Sequence, residues 1–362
     1  MYDYLIIGAG LFGSVFAQQC IEHKKSVLVI EKRNHIGGNC YSENIENIDV
    51  HRYGPHIFHT SNETIWKYIN QFSEFNNFIY RPLANFNDKI YSLPFNMFTF
   101  NQFWGVVTPK QARSIIDNQK YYGVIENLED QAISMVGRDI YETLIKGYTQ
   151  KQWQKDPKEL PQEIIKRIPV RFTYDNNYFN DKYQGIPVEG YSRIFEKLLD
   201  KADVILDTDY FSNRDYYNGL AKYIVYTGPI DKFYDYKYGK LEYRSLNFES
   251  SLLYCDDYQG VAVINYTDYA TPYTRIIEHK HFNNRTQNKT IITKEYPINW
   301  TGNEEPYYPI NTKSNQNIYQ KYEILSRNEN KIIFGGRLAE YKYYDMHQII
   351  GASLKKFRLT SR

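Results

Sequence analysis

Three glycines near the start of the chain, Gly8, Gly10 and Gly13, have the spacing G-x-G-x-x-G. An apolar segment precedes them and a helix-like segment follows, an arrangement in which the helix N-terminus can bind a pyrophosphate. Glu31 ends the next apolar segment, 18 residues beyond Gly13, where a carboxylate can accept hydrogen bonds from a ribose. This context predicts a dinucleotide site, whereas the glycines alone would be equally typical of a turn.

The residues after Glu31 indicate which dinucleotide is bound. Arg33 and the pair Gly37-Gly38 resemble the extended fingerprint of FAD proteins in the glutathione reductase and amine oxidase group. In that group the arginine lies near the pyrophosphate, and the glycines let the backbone pass close to the cofactor. We therefore expect FAD, held here by Gly8, Gly10, Leu11, Phe12, Gly13, Glu31, Lys32, Arg33, Gly38 and Asn39.

Two histidines in the segment "HRYGPHIFHT", His56 and His59, could suggest a metal site. No third ligand of matching spacing is visible, and the Gly-Pro before them breaks a helix. The segment is better interpreted as a loop beside the flavin, and no metal is expected.

The elements around these residues predict an α/β fold. "YLIIGAG", "LFGSVFAQQCIEHK" and "SVLVIEK" form a βαβ unit, and "FIYRPLANFNDKIYSLPF" is typical of a hairpin that turns at Asn87-Asp88. Helical periodicity then extends to about residue 168, and strand-like segments, beginning with "RFTYDNNYF", follow Pro169. A last strand, "KIIFGG", and a helix return to the nucleotide domain.

The predicted domains follow from this order. We expect a Rossmann-like, discontinuous FAD-binding domain, a helical insert, and a mixed or antiparallel β-sheet substrate domain. The FAD-binding domain is predicted to comprise residues 1–76, 200–238 and 318–362, and the helical insert residues 98–168. The β-sheet substrate domain is predicted to comprise residues 77–97, 169–199 and 239–317.

Composition limits the classes of partner. A net charge of +2 on 362 residues gives no general attraction for nucleic acid or an anionic membrane. No segment approaches the roughly 18 apolar residues of a membrane span, and no signal peptide is apparent, so a cytoplasmic protein is expected. Cys20, Cys40 and Cys255 are odd in number and lack C-x-x-C spacing, which argues against disulfides and structural zinc.

Several blocks resemble the bacterial UDP-galactopyranose mutases, in order from residue 3 to about 350. They are "YGPHIFHT", "IKGYTQKQW", "KRIPVRFTYDNNYFND", "YQGIPVEGY", "PYTRIIEHKHF", "EPYYPI" and "GGRLAEYKYYDM". The resemblance implies interconversion of UDP-galactopyranose and UDP-galactofuranose, with N5 of reduced FAD as the nucleophile at the anomeric carbon. It also implies NAD(P)H or another electron donor and a homodimer.

The same resemblance assigns residues. Arg167 and Arg275 match the family's two essential arginines, and with His59 and Tyr343 they form the expected catalytic set. Tyr148 matches the residue that stacks on uracil. The other expected substrate residues are Tyr80, Thr149, Trp153, Tyr178, Phe179, Arg244, Asn265 and Tyr308, and the further flavin residues are His56, Ile57, Arg337, Tyr344, Asp345 and Met346.

Two positions depart from the family pattern. Tyr80 stands where the family frequently has Asn near the sugar, and Gln154 stands where Gly usually follows the Trp. The change at Tyr80 leaves open an N-acetylgalactosamine or 6-deoxyhexose nucleotide as the substrate. A flavin amine-oxidase-like enzyme and an inactive binding protein are the competing classes of function. Residues 161–169 match a mobile lid that would bring Arg167 onto the phosphates.

Overall fold

A computed structural model describes residues 1–283 and 286–360 of the chain, which divides into two compact units. Unit 1 comprises Met1–Asn77, Asp181–Tyr243 and Pro306–Arg362. Unit 2 comprises Phe78–Asn180 and Arg244–Glu305.

The elements are numbered along the chain. The strands are β1 Tyr2–Ile7, β2 Val27–Ile30, β3 Ser42–Ile45, β4 Ile48–His51, β5 Phe58–Thr60, β6 Leu83–Phe86, β7 Lys89–Ser92, β8 Tyr183–Gly185, β9 Asp203–Ile205, β10 Ala221–Tyr226, β11 Tyr243–Leu253, β12 Val263–Tyr266, β13 Arg275–Glu278, β14 Thr290–Asn299, β15 Tyr308–Pro309 and β16 Ile332–Phe334. The helices are α1 Leu11–Glu22, α2 Glu63–Ile69, α3 Met97–Trp104, α4 Pro109–Gln119, α5 Leu128–Val136, α6 Arg138–Ile140, α7 Gly147–Trp153, α8 Glu163–Lys166, α9 Tyr191–Leu198, α10 Arg214–Asn218, α11 Ile230–Phe233, α12 Lys313–Ser326 and α13 Met346–Thr360.

Unit 1 is built on a parallel sheet with strand order β16-β10-β1-β2-β9. All four residues of β2 and the last four of β1 are buried, as expected of strands covered on both faces. Phe12 and Phe16 of α1 pack with Phe357 of α13 and the apolar side chains of β1 and β2. The predicted βαβ unit and the return of the last strand and helix to it are confirmed.

Unit 2 combines a mixed sheet with helices. The strand order is β11-β14-β13-β12-β6-β7, antiparallel except for the parallel pair β12 and β6. The hairpin β6–β7 turns at Asn87 and Asp88, whose φ angles of 50° and 64° are those of a type I′ turn. Apolar side chains of α3 to α8 form one core with the sheet, which confirms the predicted helical periodicity between residues 98 and 168.

Two predictions differ from the structure. The segment "RFTYDNNYF", predicted as a strand, is a loop in which the Arg171 guanidinium donates to the carbonyl oxygen of Asn177 and to the side chain of Asn180. Its Asn and Asp side chains bond locally and replace a strand ladder. Residues 181–199 and 306–317, predicted in the substrate domain, belong to unit 1. The reason for 181–199 is that α9 buries Ile194 and Phe195 against Val15 of α1.

The predicted helical insert and the substrate sheet are likewise not separate bodies, because unit 2 contains both. Within the described residues, no helix combines the length and the apolar character that crossing a bilayer requires.

Candidate functional site

The glycine loop of unit 1 is closely packed. A Cβ on Gly13 would lie 2.1 Å from the carbonyl oxygen of Gly8, and a Cβ on Gly38 would lie 2.9 Å from Cα of Gly10. No side chain of the described residues caps the N-terminus of α1 at Gly10. The backbone N–H groups of this helix end are thus the donors that the loop presents to a ligand, as pyrophosphate binding requires.

Glu31 braces this loop. Its Oε2 accepts a hydrogen bond from the N–H of Ala9 at 2.8 Å, and its Oε1 accepts one from the N–H of Arg33 at 3.0 Å. Each carboxylate oxygen has a second lone pair, so the buried side chain can also accept from a ribose. Arg33 donates to Oδ1 of Asn39 at 3.0 Å. Lys32 is exposed beside them.

These features fit FAD as the bound group. Because the glycines have no side chains, a pyrophosphate can approach the backbone of the loop closely. The N-terminus of α1 offers backbone N–H donors to it, and the Glu31 carboxylate offers hydrogen-bond acceptors. Phe12 completes the packing, because a Cβ on Gly335 would lie 2.0 Å from its ring. Leu11 and Met346 line the adjoining apolar side.

His59 makes a short contact with a carboxylate in unit 1. Its Nδ1 lies 2.6 Å from Oδ2 of Asp181, and Oδ1 of Asp181 accepts a hydrogen bond from Ser61 at 2.6 Å. Burial acts to raise the pKa of Asp181, but the hydrogen bonds from Ser61 and His59 outweigh it and hold that pKa below its ordinary value. A carboxylate at Nδ1 orients the ring and leaves Nε2 as the atom that exchanges a proton.

Ligand-type side chains stand near His59, contrary to the expectation from residue spacing. Nitrogen and oxygen atoms of His59, Asp345 and His347 lie within 4.8 Å of one another. Asp345 and His347 come from the far end of the sequence, which is why spacing did not reveal them. His56 is not part of this group: its Nδ1 bonds the carbonyl of Gly54 at 2.8 Å, and Ile57 beside it is buried.

The C-terminal return of unit 1 carries an aromatic and cationic cluster. The rings of Tyr308 and Tyr343 stack with centroids 5.7 Å apart, and the Arg337 guanidinium lies 4.9 Å from the Tyr343 ring. Arg337 also donates to the carbonyl of Tyr344 at 2.8 Å. The backbone N–H of Asp345 donates to Gln348 at 2.9 Å as α13 begins. The structure therefore brings these predicted residues together.

Unit 2 holds Arg275 in a fixed orientation. Arg275 donates from Nε and Nη2 to the two carboxylate oxygens of Glu295, at 2.8 and 2.9 Å. Glu295 is fully buried and faces Arg275 across the β13–β14 ladder. A bidentate pair of this kind fixes the plane of the guanidinium.

Tyr80 and Tyr148 lie within electrostatic range of this pair, and Arg167 lies within range of Tyr148. Burial raises the pKa of Tyr148, and the positive charges of Arg275 and Arg167 oppose that rise. Burial also raises the pKa of Tyr80, again against the charge of Arg275. The Tyr80 ring lies 5.2 Å from that of Tyr178 and 5.8 Å from that of Phe179. Unit 2 thus gathers most of the predicted substrate residues into one cluster.

The remaining predicted substrate residues surround α7. Arg244 is buried and donates to the carbonyl of Gln152 at 2.9 Å and to Asn299 at 2.7 Å. Its Nη2 is buried with no acceptor among the described residues, and burial lowers its pKa to about 10. Asn265 faces Arg275 in the β12–β13 ladder.

Two residues of α7 itself complete this set. Thr149 is buried. Trp153 packs against the helical core of unit 2, so packing accounts for at least part of its side chain.

Two carboxylates of this site escaped sequence reasoning. Glu295 is an acidic residue within the apolar strand "TIITKEY", and a buried charge on a strand needs a partner of opposite sign. That signal was available. Asp181 follows an Asn-rich loop and carries no such signal, because its partner His59 is 122 residues away.

The parallel sheet, the glycine loop and the buried Glu31 define a dinucleotide-binding α/β protein. Consistent with this class, residues 6–72 match the model of the NAD(P)-binding Rossmann-like domain. Residues 143–343 match the model of the UDP-galactopyranose mutase family.

Similar proteins cover nearly the whole chain. A probable UDP-galactopyranose mutase of Klebsiella pneumoniae is 42% identical over 98% of this chain and 93% of its own length. A dTDP-fucopyranose mutase of Escherichia coli is 40% identical over 98% and 97%, and a UDP-galactopyranose mutase of Mycoplasma genitalium is 33% identical over 98% and 94%. The chain therefore belongs to the UDP-galactopyranose mutase family, and the cofactor that family and fold imply is FAD.

Solved structures agree on the fold. A reduced UDP-galactopyranose mutase matches with a TM-score of 0.74 and 15% identity over 99% of this chain and 95% of the other. A putrescine oxidase redesigned in its cofactor binding matches with a TM-score of 0.58 and 11% identity, over 100% and 99%. At these identities the matches concern the architecture alone, which amine oxidases share.

Proposed function

We propose that this chain interconverts UDP-galactopyranose and UDP-galactofuranose and that it requires FAD in its reduced form. The observation that carries the proposal is the Arg275–Glu295 pair, together with Tyr148, which lies within electrostatic range of both Arg275 and Arg167. A guanidinium of fixed orientation recognises phosphate, and an aromatic side chain beside it suits a base. An amine oxidase has no need of this diphosphate-binding set.

Unit 1 would hold the cofactor. The α1 N-terminus binds the pyrophosphate, Glu31 accepts from the ribose, and Arg33 with Gly38 and Asn39 follows the chain of the cofactor. When bound, reduced FAD supplies a nucleophilic nitrogen for the anomeric carbon of the sugar.

Unit 2 would hold the UDP that leaves. Arg275 and Arg167 neutralise the charge that develops on the diphosphate as the bond to the sugar breaks. The buried Nη2 of Arg244 is a further cationic donor for an anion. Tyr148 and Thr149 bind the uridine, with Trp153 at the same subsite.

The tyrosines would contribute hydroxyl donors. In unit 2 the hydroxyl donor is Tyr178. Its neighbour Phe179 offers only an apolar ring, and Asn265 lies on the nucleotide side. In unit 1 the donors are Tyr308 and Tyr343, whose stacked rings are preorganised by Arg337.

His59 would transfer a proton to and from the ring oxygen of the sugar. Opening and closing the sugar ring moves a proton on and off that oxygen. With Asp181 bound to Nδ1, the proton moves at Nε2 of His59. Asp345 positions the cofactor through its backbone rather than acting as a base.

A related sugar is the second candidate. Tyr80, with its bulky phenol packed on Tyr178 and Phe179, takes volume in the expected sugar pocket, and a hexose without its 6-hydroxyl needs less room. The dTDP-fucopyranose mutase of Escherichia coli is nearly as similar to this chain as the Klebsiella protein, so the specific second candidate is dTDP-fucose. An N-acetylated sugar would need more room.

The proposal extends to the reductant, the assembly and the use of the product. NAD(P)H or a similar donor reduces the flavin, the enzyme works as a homodimer in the cytoplasm, and its product enters cell-surface polysaccharide synthesis. Size-exclusion chromatography with light scattering tests the dimer, and anaerobic flavin bleaching by NADPH and NADH tests the donor.

A product assay tests the reaction itself. Dithionite-reduced, FAD-loaded enzyme is incubated with UDP-galactofuranose, its N-acetyl analogue and dTDP-fucofuranose, and the nucleotide sugars are separated by chromatography. We expect the pyranose form of UDP-galactose, with no loss of reductant and no turnover by the oxidised enzyme. Preferred conversion of dTDP-fucofuranose would replace the substrate assignment, and oxygen consumption with a substrate would replace the reaction class.

A further inference from the structure

Lys151 lies on α7, three residues after Tyr148, and its side chain is buried. Its Nζ donates to the carbonyl oxygens of Tyr266, Thr271 and Tyr273 at 2.8, 3.0 and 3.0 Å. All three carbonyls belong to the end of β12 and the loop that joins it to β13. Because an ammonium group has three N–H donors, these contacts use its full capacity.

The loop from 267 to 274 is built around this ammonium group. The Asp268 carboxylate accepts from the backbone N–H of Thr271 at 2.7 Å and from its hydroxyl at 2.9 Å, which closes the loop into a turn. A Cβ on Gly147 would lie 2.5 Å from the carbonyl oxygen of Thr267, so the backbone of α7 packs directly on the loop. The loop is therefore attached to α7 by Lys151 and by close backbone packing.

The same loop leads directly into Arg275. The N–H of Thr274 donates to the carbonyl of Glu295 at 2.8 Å, immediately before the bidentate pair that Arg275 makes with this glutamate. Lys151 is therefore connected on one side to the helix that carries Tyr148 and on the other to the segment that ends in Arg275.

We propose that Lys151 is a positioning residue for nucleotide recognition: it fixes the distance between Tyr148 on α7 and Arg275 on β13 by holding the intervening loop through three carbonyls. The inference rests on the proposed function, because it is UDP that would contact both residues at once. Lys151 itself acts through the loop.

Charge makes this connection sensitive to pH. Burial lowers the pKa of Lys151 to about 8, and the nearby Asp268 opposes the decrease. A neutral amine has only two N–H donors, so a rise in pH from 7 to 9 leaves one carbonyl without its donor. Other titratable groups on the elements packed against α7 include Tyr141, Glu142 and Lys146 in residues 141–146, and Lys294, Glu295 and Tyr296 on β14. Near the loop are Arg275 and the phenols of Tyr266 and Tyr273, whose pKa values burial raises.

The test compares Lys151→Met with Lys146→Met in the FAD-loaded enzyme. Lys146 lies just before α7 and pairs with Glu142 at 2.8 Å, away from the loop. UDP affinity is measured by calorimetry between pH 7 and 9, and hydrogen–deuterium exchange is followed in residues 266–275. We expect Lys151→Met to raise the Kd for UDP at least tenfold at pH 7, and to accelerate exchange in this segment.

The pH series separates positioning from simple stabilisation. Wild type and Lys146→Met should lose UDP affinity between pH 7 and 9 more steeply than Lys151→Met, and the comparison removes the titration of UDP itself. If Lys151→Met folds and its Kd stays within twofold of wild type, the inference is wrong. If it does not fold, the wild-type series decides alone. The inference is then overturned if the affinity for UDP and the protection factors of residues 266–275, corrected for the intrinsic pH dependence of amide exchange, both stay constant between pH 7 and 9. A wild type that binds no UDP refutes the proposed function instead.

Discussion

At the scale of single residues, the site depends on side chains that hold other side chains. Arg275 has its orientation from Glu295, and His59 has its orientation from Asp181. Oε2 of Glu295 lies 2.8 Å from Nε of Arg275, and Oδ2 of Asp181 lies 2.6 Å from Nδ1 of His59. Charge-assisted hydrogen bonds of this length are roughly twice as strong as neutral ones, so each pair is preorganised before a ligand arrives.

Replacing Glu295 with Gln tests the first pair. The amide keeps the shape of the carboxylate but can accept only one of the two hydrogen bonds from Arg275, so the guanidinium loses its fixed plane. We expect kcat/KM to fall between tenfold and a hundredfold, about 1.4–2.7 kcal/mol of transition-state stabilisation. Steady-state assays of the reduced enzyme measure this.

The matched control is Glu249→Gln, on an exposed position of the neighbouring strand β11. Its kcat/KM should stay at the wild-type value. A Glu295→Gln variant with unchanged kcat/KM would show that Arg275 does not need its carboxylate partner.

The sequence predicted the proposed catalytic and binding residues, but not the carboxylates that orient them. Arg275, Tyr148 and His59 stand in blocks that resemble a family, so their chemistry was predicted from the printed letters. Asp181 ends the block "KRIPVRFTYDNNYFND" but was given no role, and Glu295 lies outside the blocks. Both are recognised as partners only once the β13–β14 ladder and the fold of unit 1 place them. A partner defined by three-dimensional contact leaves little trace in a single sequence.

At the scale of elements, the start of α1 is the most constrained feature of unit 1. The helix follows β1 at once, and its first turn lies against the carbonyl of Gly8. Contact distances therefore require two of the three glycines, independently of any resemblance: a Cβ on Gly8 would lie 2.2 Å from Oγ1 of Thr227, and a Cβ on Gly13 would lie 2.1 Å from the carbonyl oxygen of Gly8. A Cβ on Gly10 would meet nothing closer than 3.8 Å. The βαβ unit was predictable because β2 and the last four residues of β1 are continuous apolar runs that end at Glu31 and Gly8.

Replacing Gly13 with Ala tests this constraint. The new Cβ would lie 2.1 Å from the carbonyl oxygen of Gly8, so the loop must shift away from the position that suits a pyrophosphate. We expect the affinity for FAD to fall more than tenfold, measured by flavin content and by titration of the apoprotein.

Gly351→Ala is the control, because this residue lies within α13 and its Cβ would meet nothing closer than 3.8 Å. Alanine there should leave FAD affinity unchanged and favour the helix slightly. Equal FAD binding by Gly13→Ala and wild type would contradict the proposed pyrophosphate site.

The segment 161–169 is the element proposed to move. It contains the short helix α8, and Arg167 is exposed at the C-terminus of that helix. If the segment closes when Arg167 binds the diphosphate, UDP should protect it from trypsin, which cleaves after Lys166 and Arg167. We expect at least a fivefold slower cleavage there in saturating UDP, followed by mass spectrometry.

Cleavage after Lys197 in unit 1 provides the internal reference, and its rate should not depend on UDP. Equal cleavage rates at Arg167 with and without UDP would exclude closure as the way this arginine reaches the phosphates.

At the scale of the whole molecule, the sequence predicted the fold class and the main elements, but not the boundaries of the two units. The fold class, the hairpin at Asn87-Asp88 and the helical core all follow local periodicity and turn chemistry. The segment 181–199 was misplaced because only the burial of Ile194 and Phe195 against α1 shows that it belongs to unit 1. Such long-range packing is not encoded in local pattern.

We expect the ion pair between His281 and Glu278 to make the stability of the fold depend on pH. His281 lies 3.3 Å from both Glu278 and Asp257, and Glu278 is fully buried. The Glu278 carboxylate beside Nε2 raises the pKa of His281 above 6.5. Burial acts to raise the pKa of Glu278, but bonds from His281, Thr290 and two backbone N–H groups lower it from 4.5 to about 2.

The two shifts define a pH window. The contribution of His281 is complete below pH 6.5 and disappears as the pH rises through its higher folded pKa, whereas that of Glu278 is complete above 4.5 and disappears towards pH 2. The pair therefore stabilises most between about pH 4.5 and 6.5. We expect His281→Gln to lower the free energy of unfolding at pH 5.5 by about 1–3 kcal/mol, with a smaller loss at pH 8.5.

Urea unfolding at the two pH values measures this difference, and it should be followed by a signal from unit 2, where the pair lies. His23→Gln is the matched control, because His23 is exposed at the end of α1 in unit 1 and is not part of this pair. Since the window follows from opposite shifts of one acid and one base, a loss that is the same at pH 5.5 and 8.5 would mean that His281 stabilises the fold through packing rather than through its charge.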